Sequence, residues 1–323
     1  MANISRKFMY GLLLSCTTMI AWGMIAIALK LSNDFADPVT LTWLRFTVAG
    51  VIVWLWQKRH NRLVQFRRLE RSDWLRLSLA GVLLMINYTC YAWSLVYLTP
   101  DSSQLSMQMA PLFLAVGGAV FFKEYISWQQ WVCFALLLTG LLVFFHPVLQ
   151  SGSGQETTVL LTGLTIIFVS ALAWSLYALV QKSLFQQLDA SNILLGIYLM
   201  AMVVMFPLTS PSDLLQMSFE EWLIALFCCL NTVVAYGAFA KSLTYWKTVQ
   251  VSSVIAVTPV MAFLLTELCM TMGWWTGIIH SAQADWLSLS GMGLVIVAAI
   301  GVQLVSVSRR KPDVSDVTEP SAA

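Results

Sequence analysis

The chain has 323 residues, of which 59% are hydrophobic and only 11% are charged. Soluble globular proteins carry about 25% charged residues, so this composition excludes an ordinary water-soluble domain. The net charge of +2 excludes little, because the positions of the charges matter more than their sum. The six cysteines lie in apolar stretches without metal-ligand spacing, and we interpret them as small packing residues.

Apolar segments long enough to cross a membrane recur along the whole chain. A helix needs about 20 predominantly apolar residues to span the hydrocarbon core. The first such segment, from Phe8 to Leu29, is too long for a signal peptide and lacks a cleavage site, so we interpret it as a retained span. The predicted fold is an all-α integral membrane protein with ten transmembrane helices, at residues 8–29, 39–56, 74–96, 101–122, 128–146, 160–181, 191–208, 221–243, 250–272 and 286–307.

The charges in the connecting segments predict the orientation. Six basic residues join the second and third spans: Lys58, Arg59, Arg62, Arg67, Arg68 and Arg71. Basic short loops stay in the cytoplasm, and this loop therefore places both termini there. We interpret it as a topology signal and a contact for anionic lipids, not as a nucleic-acid site. The predicted location is a cell membrane, of the bacterial inner-membrane type, with the chain in contact with the lipid bilayer.

The two halves of the sequence resemble each other. Matched pairs stand 152 or 148 positions apart, namely Trp22 and Trp174, Lys30 and Lys182, Asp37 and Asp189, Tyr88 and Tyr236, and Pro111 and Pro259. Each half holds five predicted helices, an odd number, so the halves enter the membrane from opposite sides as an inverted repeat. The predicted division is a first repeat at 1–149, an outer linker at 150–158, a second repeat at 159–307 and a disordered cytoplasmic tail at 308–323.

Polar and aromatic residues inside the spans are the candidates for substrate binding. A charge at the centre of a span costs about 2.5–3.5 kcal/mol on insertion scales, so charged residues there mark functional positions. Arg45 and Glu267 are expected at similar depth in the outer half, where they would pair or line a vestibule. The alternative is that Arg45 snorkels to the headgroups and Glu267 lies at the water boundary. The neutral cavity candidates, which could instead serve helix packing, are Trp22, Asn87, Tyr91, Gln104, Gln108, Trp174, Asn231 and Tyr236.

Two prolines lie inside predicted helices at matched positions of the repeat. Pro111 and Pro259 should each kink the helix and free a carbonyl group. Matched kinks are typical of two halves that rock against each other, and a gating role is therefore predicted for both.

Motifs for nucleotide hydrolysis and catalysis are missing from the sequence. No Walker A, HExxH or GxSxG pattern occurs, and the three histidines are scattered. We therefore predict neither an enzyme nor a metal or cofactor site.

The combination of these features resembles the EamA type of the drug/metabolite transporter superfamily across nearly the whole chain. The residues that carry the resemblance are Asp37-Pro38, Arg45-Phe46, Ser102, Ser106, Pro111, Lys123-Glu124, Gly140, Ala173-Trp174, Pro259, Gly293 and Gly301. The resemblance implies a bundle in which helices one to four and six to nine surround a central cavity, with helices five and ten at the periphery. This sequence departs from the pattern where Met272 stands at the repeat position of Glu124 and Ile197 at that of Arg45.

The resemblance implies a secondary transporter of a small metabolite such as an amino acid, vitamin or drug, working by alternating access and often outward. Protons or a counter-substrate are possible coupling partners, and a homodimer is a possible assembly. No nucleic acid is expected. The competing interpretation is a membrane scaffold or enzyme without transport activity.

Overall fold

The computed structural model describes residues 2–123, 125–150, 154–282 and 284–308, and within these ranges every regular element is a helix. Residues 151–153 of the predicted linker and residues 309–323 of the predicted tail lie outside the described residues, as does Glu124. The α-helices are α1 (Ala2–Ser32), α2 (Pro38–Arg59), α3 (Arg71–Tyr97), α4 (Pro100–Ser106), α5 (Ala110–Phe122), α6 (Trp128–Phe144), α7 (His146–Gln150), α8 (Gly154–Leu184), α9 (Ala190–Val204), α10 (Pro211–Leu214), α11 (Phe219–Ser242), α12 (Thr248–Ile255), α13 (Thr258–Thr271) and α14 (Trp286–Ser308).

Eight helical stretches in the described residues are long and apolar enough to cross a membrane. Two of them are composite, because α4 with α5 and α12 with α13 each form one stretch. The helices α6 and α9, at two further predicted spans, have 17 and 15 residues. At 1.5 Å per residue, they measure roughly 25 and 22 Å, less than the hydrocarbon core of about 30 Å. The all-helical membrane architecture is confirmed, whereas the count of ten crossings stays a prediction.

Short polar side chains start the matched helices α2 and α9. The Asp37 carboxylate accepts hydrogen bonds from the backbone N–H groups of Val39 and Thr40 at 2.9 and 3.0 Å. Asp189 accepts from the backbone N–H of Asn192 at 2.8 Å. Such caps satisfy N–H groups that have no partner inside the helix, and both helices therefore begin directly after an aspartate.

Helices from the first part of the chain pack mainly against helices from the second part. The pairs are α1 with α11, α2 with α9, α3 with α8, α5 with α8 and α6 with α14. The approach of α6 to α14 is close, since a Cβ atom on Gly140 would lie 2.8 Å from the Gly291 carbonyl oxygen. Glycines allow this backbone contact, as is common between membrane helices. The pairing therefore brings helices from both parts of the chain together throughout the bundle.

Connecting segments also contact each other at the end of the bundle that carries residues 62–68. The Asp189 carboxylate accepts hydrogen bonds from the side-chain amides of Gln57 and Gln65 at 3.3 and 3.2 Å. The Asn192 side chain donates to the Arg62 carbonyl oxygen at 2.9 Å. The basic segment is thereby fastened to the start of α9.

Two further contacts join segments at the opposite end of the bundle. There the Ser210 backbone N–H donates to the Thr40 hydroxyl at 2.9 Å. The Ala282 backbone N–H donates to the Asp101 carboxylate at 3.3 Å. Each end of the bundle thus joins segments from both parts of the chain.

Candidate functional site

Two interrupted helices contribute residues to the site. A 3-10 turn, Met107–Met109, separates α4 from α5, and the chain breaks again between α12 and α13. Pro111 and Pro259 each lie at the start of the helix that follows the break. A proline cannot donate to the carbonyl four residues earlier. In the second break that carbonyl, of Ile255, instead accepts the Thr258 hydroxyl at 2.5 Å.

The two breaks face each other across the bundle. The Gln108 side chain of the first break donates to the Ala256 carbonyl oxygen of the second at 3.5 Å. These two residues are 148 positions apart, which is the offset between Pro111 and Pro259. Interrupted helices expose backbone groups that are tolerated at membrane depth only where they are buried in protein or line a cavity.

A cavity of about 340 Å³ lies beside these breaks. Pockets of roughly 300–1,000 Å³ with apolar walls and a few polar groups are typical of small-molecule sites. Its walls come from α1, α2, α3, the first composite stretch, α8, α11, the second composite stretch and α14. The lining residues are Trp22, Ile25, Leu29, Arg45, Asn87, Tyr88, Tyr91, Gln104, Met107, Gln108, Ala110, Pro111, Leu114, Trp174, Asn231, Thr232, Tyr236, Phe239, Ser252, Ile255, Ala256, Thr258, Ala299 and Gln303.

Nine of the ten predicted cavity residues are among these lining residues, and the exception is Glu267. Glu267 is half-buried on α13 and does not line the cavity. Pro111 lines it, whereas Pro259 is buried next to the lining residue Thr258. The part that each residue plays in binding or gating remains a prediction.

Arg45 is buried in the wall, with 5% of its surface exposed. Its Nε donates to the Thr232 hydroxyl at 3.1 Å, and its guanidinium carbon lies 4.7 Å from the centre of the Tyr88 ring. No ion pair joins Arg45 to Glu267 among the described residues, and the two do not line one cavity, so the functional role of both residues stays a prediction. Arg45 does not snorkel to the headgroups in this structure, since its guanidinium lines the cavity between Tyr88 of α3 and Thr232 of α11.

Four of the five amide side chains that line the cavity hold helices together, as the packing alternative expected. Asn87 donates to the Ser170 carbonyl oxygen at 3.0 Å, and Asn231 donates to that of Ala21 at 2.8 Å. Gln104 donates to the Trp22 carbonyl oxygen. The Gln108 bond joins the two breaks. The cavity candidates therefore fasten α3 to α8 and α1 to α11, whatever else they bind.

Aromatic rings form the apolar part of the wall. The Trp22 ring lies 5.7 Å from that of Tyr236 and 5.8 Å from that of Phe239, centre to centre. The rings of Tyr88 and Tyr236 stack at 6.2 Å. Offset and edge contacts at these distances are the favoured arrangements of aromatic pairs. Two matched pairs of the repeat, Trp22 with Trp174 and Tyr88 with Tyr236, thus meet at one cavity.

Sequence reasoning missed several lining residues. Tyr88 was the repeat partner of a candidate, and Ser252 follows Gln104 by 148 positions, so the repeat register contained a signal for both. Thr232 adjoins the candidate Asn231. Gln303 was missed because the tenth helix was expected at the periphery.

The expected arrangement of helices around the cavity needs two corrections. Helix α14, the tenth predicted span, contributes Ala299 and Gln303 to the lining, and α9, the seventh, contributes no described residue. Helix α9 is displaced because Tyr198 and Ile197 pack instead into an apolar core against Phe46 and Leu77. Helix α6, the fifth span, is peripheral as expected.

No metal site is apparent in the described ranges, where no three of His, Cys, Asp and Glu group closely enough to hold an ion.

Comparison with known proteins supplies the family. Residues 9–146 and 161–270 match the EamA-like transporter family. The chain is 32% identical over 295 residues to YhbE of Escherichia coli, named as an uncharacterized inner membrane transporter, with 90% of each chain covered. It is 27% identical over 259 residues to an uncharacterized transporter of Haemophilus influenzae, covering 80% of this chain and 83% of that one.

A solved crystal structure has the same overall fold. It aligns with a TM-score of 0.60 and 16% identity, over 93% of this chain and 99% of the other. At that identity the likeness concerns the fold alone. Together with the family match and the membrane-spanning helices, the relatives identify this chain as a member of the EamA-like transporter family and as a multi-pass membrane transporter.

Proposed function

We propose that the chain is a secondary carrier that moves a small metabolite across the inner membrane, outward, by alternating access. The observation that carries the proposal is the central cavity, which lies between helices of both parts of the chain and beside two facing helix breaks. Discontinuous helices at a midplane site are a recurrent feature of secondary transporters. Exchange between two arrangements of the halves would open the cavity to each side in turn.

The proposed architecture is ten crossings in two inverted five-helix halves, with both termini cytoplasmic. The proposed halves are residues 1–149 and 159–307, with 150–158 as the outer linker. Helix pairing supports this division, because a two-fold axis that exchanges the halves turns the pair α1 with α11 into the pair α8 with α3. The contact of Asp189 with the 62–68 segment and that of Thr40 with Ser210 join segments assigned to the same side of the membrane.

Site-directed labelling tests the two short helices of this architecture. We expect cysteines introduced at Gln186 and Ser212, which flank α9, to react with an impermeant maleimide from opposite sides of the membrane. The same is expected of Tyr125 and Gln150, which flank α6. All four positions are exposed, and the experiment uses a chain whose six native cysteines are replaced. Labelling of both members of a pair from one side would contradict the ten-crossing architecture.

The proposed solute is small and partly apolar. Aromatic rings supply most of the contact surface, and the amide groups and tyrosines provide a limited number of hydrogen bonds. Proton coupling and exchange against a counter-substrate are both compatible with this site.

Flux in reconstituted vesicles tests the function. We expect the purified full chain to give protein-dependent uptake or counterflow of at least one class in a panel of amino acids, organic acids, vitamins and drugs. Each solute is measured with and without a pH gradient, and vesicles without protein are the control. A gradient that changes the rate would indicate proton coupling. Absence of flux for every class would instead favour a membrane scaffold or enzyme.

A further inference from the structure

Arg45 reaches the cavity with most of its hydrogen-bonding capacity unused. A guanidinium carries five N–H groups, four of them on the two terminal nitrogens. Only Nε has an acceptor among the described residues, namely Thr232. The terminal nitrogens are not among the enclosed side-chain atoms that lack a partner, and they therefore open towards the cavity.

The charge of Arg45 is not balanced within the cavity wall. Among the described lining residues, Arg45 alone carries a formal charge, and no ion pair is made to it. The face of the Tyr88 ring offsets part of this charge but does not neutralise it. Ile197 stands at the matched position of the other half and is fully buried. Of these two matched positions, only the one in the first repeat therefore carries a positive charge.

A second donor is unpartnered in the same wall. The Tyr91 hydroxyl is buried and has no hydrogen-bond partner among the described residues. The amides of Asn87, Asn231 and Gln104 already donate to neighbouring helices. The Tyr91 hydroxyl oxygen is enclosed, so in this arrangement it is an unpaired donor within the wall and does not reach the cavity.

We propose that the cavity binds solutes with a carboxylate on an apolar or aromatic body, and that Arg45 is the counter-ion. This inference rests on the proposed transport function and narrows its solute class. The planar guanidinium donates two parallel hydrogen bonds from its terminal nitrogens, and a carboxylate has the matching pair of acceptor oxygens. The rings of Trp22, Tyr236 and Phe239 enclose the body. An ammonium group on the solute would find only neutral oxygens here, so a simple monoanion fits better than a zwitterion.

Four probes with one aromatic skeleton test the proposal: 3-phenylpropionate, its amide, phenylalanine and phenethylamine. Binding is measured by titration calorimetry to the full chain in lipid nanodiscs, with empty nanodiscs as the reference. We expect the carboxylate to bind at least about tenfold more tightly than the amide, the usual difference for a hydrogen bond to a charged group. Phenylalanine should bind less tightly than the carboxylate, and phenethylamine should not bind.

Variants of Arg45 test whether this residue causes the preference for the carboxylate over the amide. Arg45→Gln should remove the preference. Arg45→Lys should retain part of the affinity for the carboxylate, because the positive charge stays while the planar guanidinium is lost. Arg59→Gln is the matched control, since Arg59 is exposed at the end of the same helix, and it should bind like the unaltered chain. If Arg45→Gln does not fold, Arg45→Lys tests the role of Arg45, and the ratio between carboxylate and amide in the unaltered chain tests the solute class.

The results separate this inference from the transport function. Equal binding of carboxylate and amide, tighter binding of phenylalanine, or unchanged carboxylate binding in folded Arg45→Gln would overturn the inference. Equal affinity for inorganic phosphate or chloride would also overturn it, because the apolar body would then contribute nothing. If the chain carries only neutral solutes, the proposed transport function stands and the proposed carboxylate class is wrong. If the chain gives no flux for any class, the proposed transport function is wrong, whichever solutes it binds.

Discussion

Replacement of Ser252 with tryptophan is expected to reduce solute flux to a small fraction of the unaltered rate while the chain stays folded. Ser252 is half-buried on α12 and lines the central cavity. An indole at this position would occupy part of the 340 Å³ that the solute needs. A solute that shares the cavity with the indole would be overpacked, at a cost of about 1–3 kcal/mol. Solute affinity should therefore fall roughly tenfold or more, and flux at limiting solute should fall with it.

The measurement is counterflow in proteoliposomes with a solute that the unaltered chain carries. Ser290→Trp is the matched control, because Ser290 is exposed on α14 and does not line the cavity. Elution from a sizing column and the thermal unfolding temperature establish that both variants are folded. Full flux in folded Ser252→Trp would mean that the solute takes a route outside this cavity.

The central position of most candidate residues could be predicted from the sequence. Lipid penalises polar groups, so a polar side chain within a span faces the protein interior unless it can reach the headgroups. Asn87, Gln104 and Asn231 follow this rule and lie at the cavity. The helix interruptions were equally predictable, because Pro111 and Pro259 each remove a backbone donor in the middle of a span.

The partners of Arg45 could not be predicted in the same way. Depth along two helices gives no information about which helices are neighbours. In the structure α2 packs against α3, α9 and α11, whereas α13 packs against α1 and α4. Arg45 therefore meets Tyr88 and Thr232, and Glu267 lies on a helix of another group.

The polar contacts of the 62–68 segment could not be predicted from the sequence either. Its arginines identify a cytoplasmic loop by their number, but the contacts with α9 use the neutral side chain of Gln65. A lone glutamine in a basic segment carries no signal of a partner more than 120 residues later. Only the docking of the segment onto the start of α9 brings these groups together.

That docking leads to a stability prediction in which the two matched aspartates differ. Asp37→Ala should lower the free energy of unfolding by about 1 kcal/mol, the usual cost of a lost helix cap. Asp189→Ala should lower it by about 3 kcal/mol, because Asp189 also accepts hydrogen bonds from Gln57 and Gln65. A hydrogen bond to a charged group contributes about 1.5–3 kcal/mol. Gln57 is fully buried, so water cannot easily replace the lost Asp189 acceptor, and the amide would keep only its bond to Asn192.

The comparison of these two variants is informative because their local settings match. Both aspartates are half-buried and both start a helix at the same position of the repeat. Unfolding by titration with sodium dodecyl sulfate, followed by tryptophan fluorescence, gives both free energies under one condition. Equal losses would indicate that the side-chain amides contribute nothing beyond the cap. A greater loss for Asp189 would make the 62–68 segment part of the folded bundle, holding α2 to α9 at the end where the proposed carrier must open.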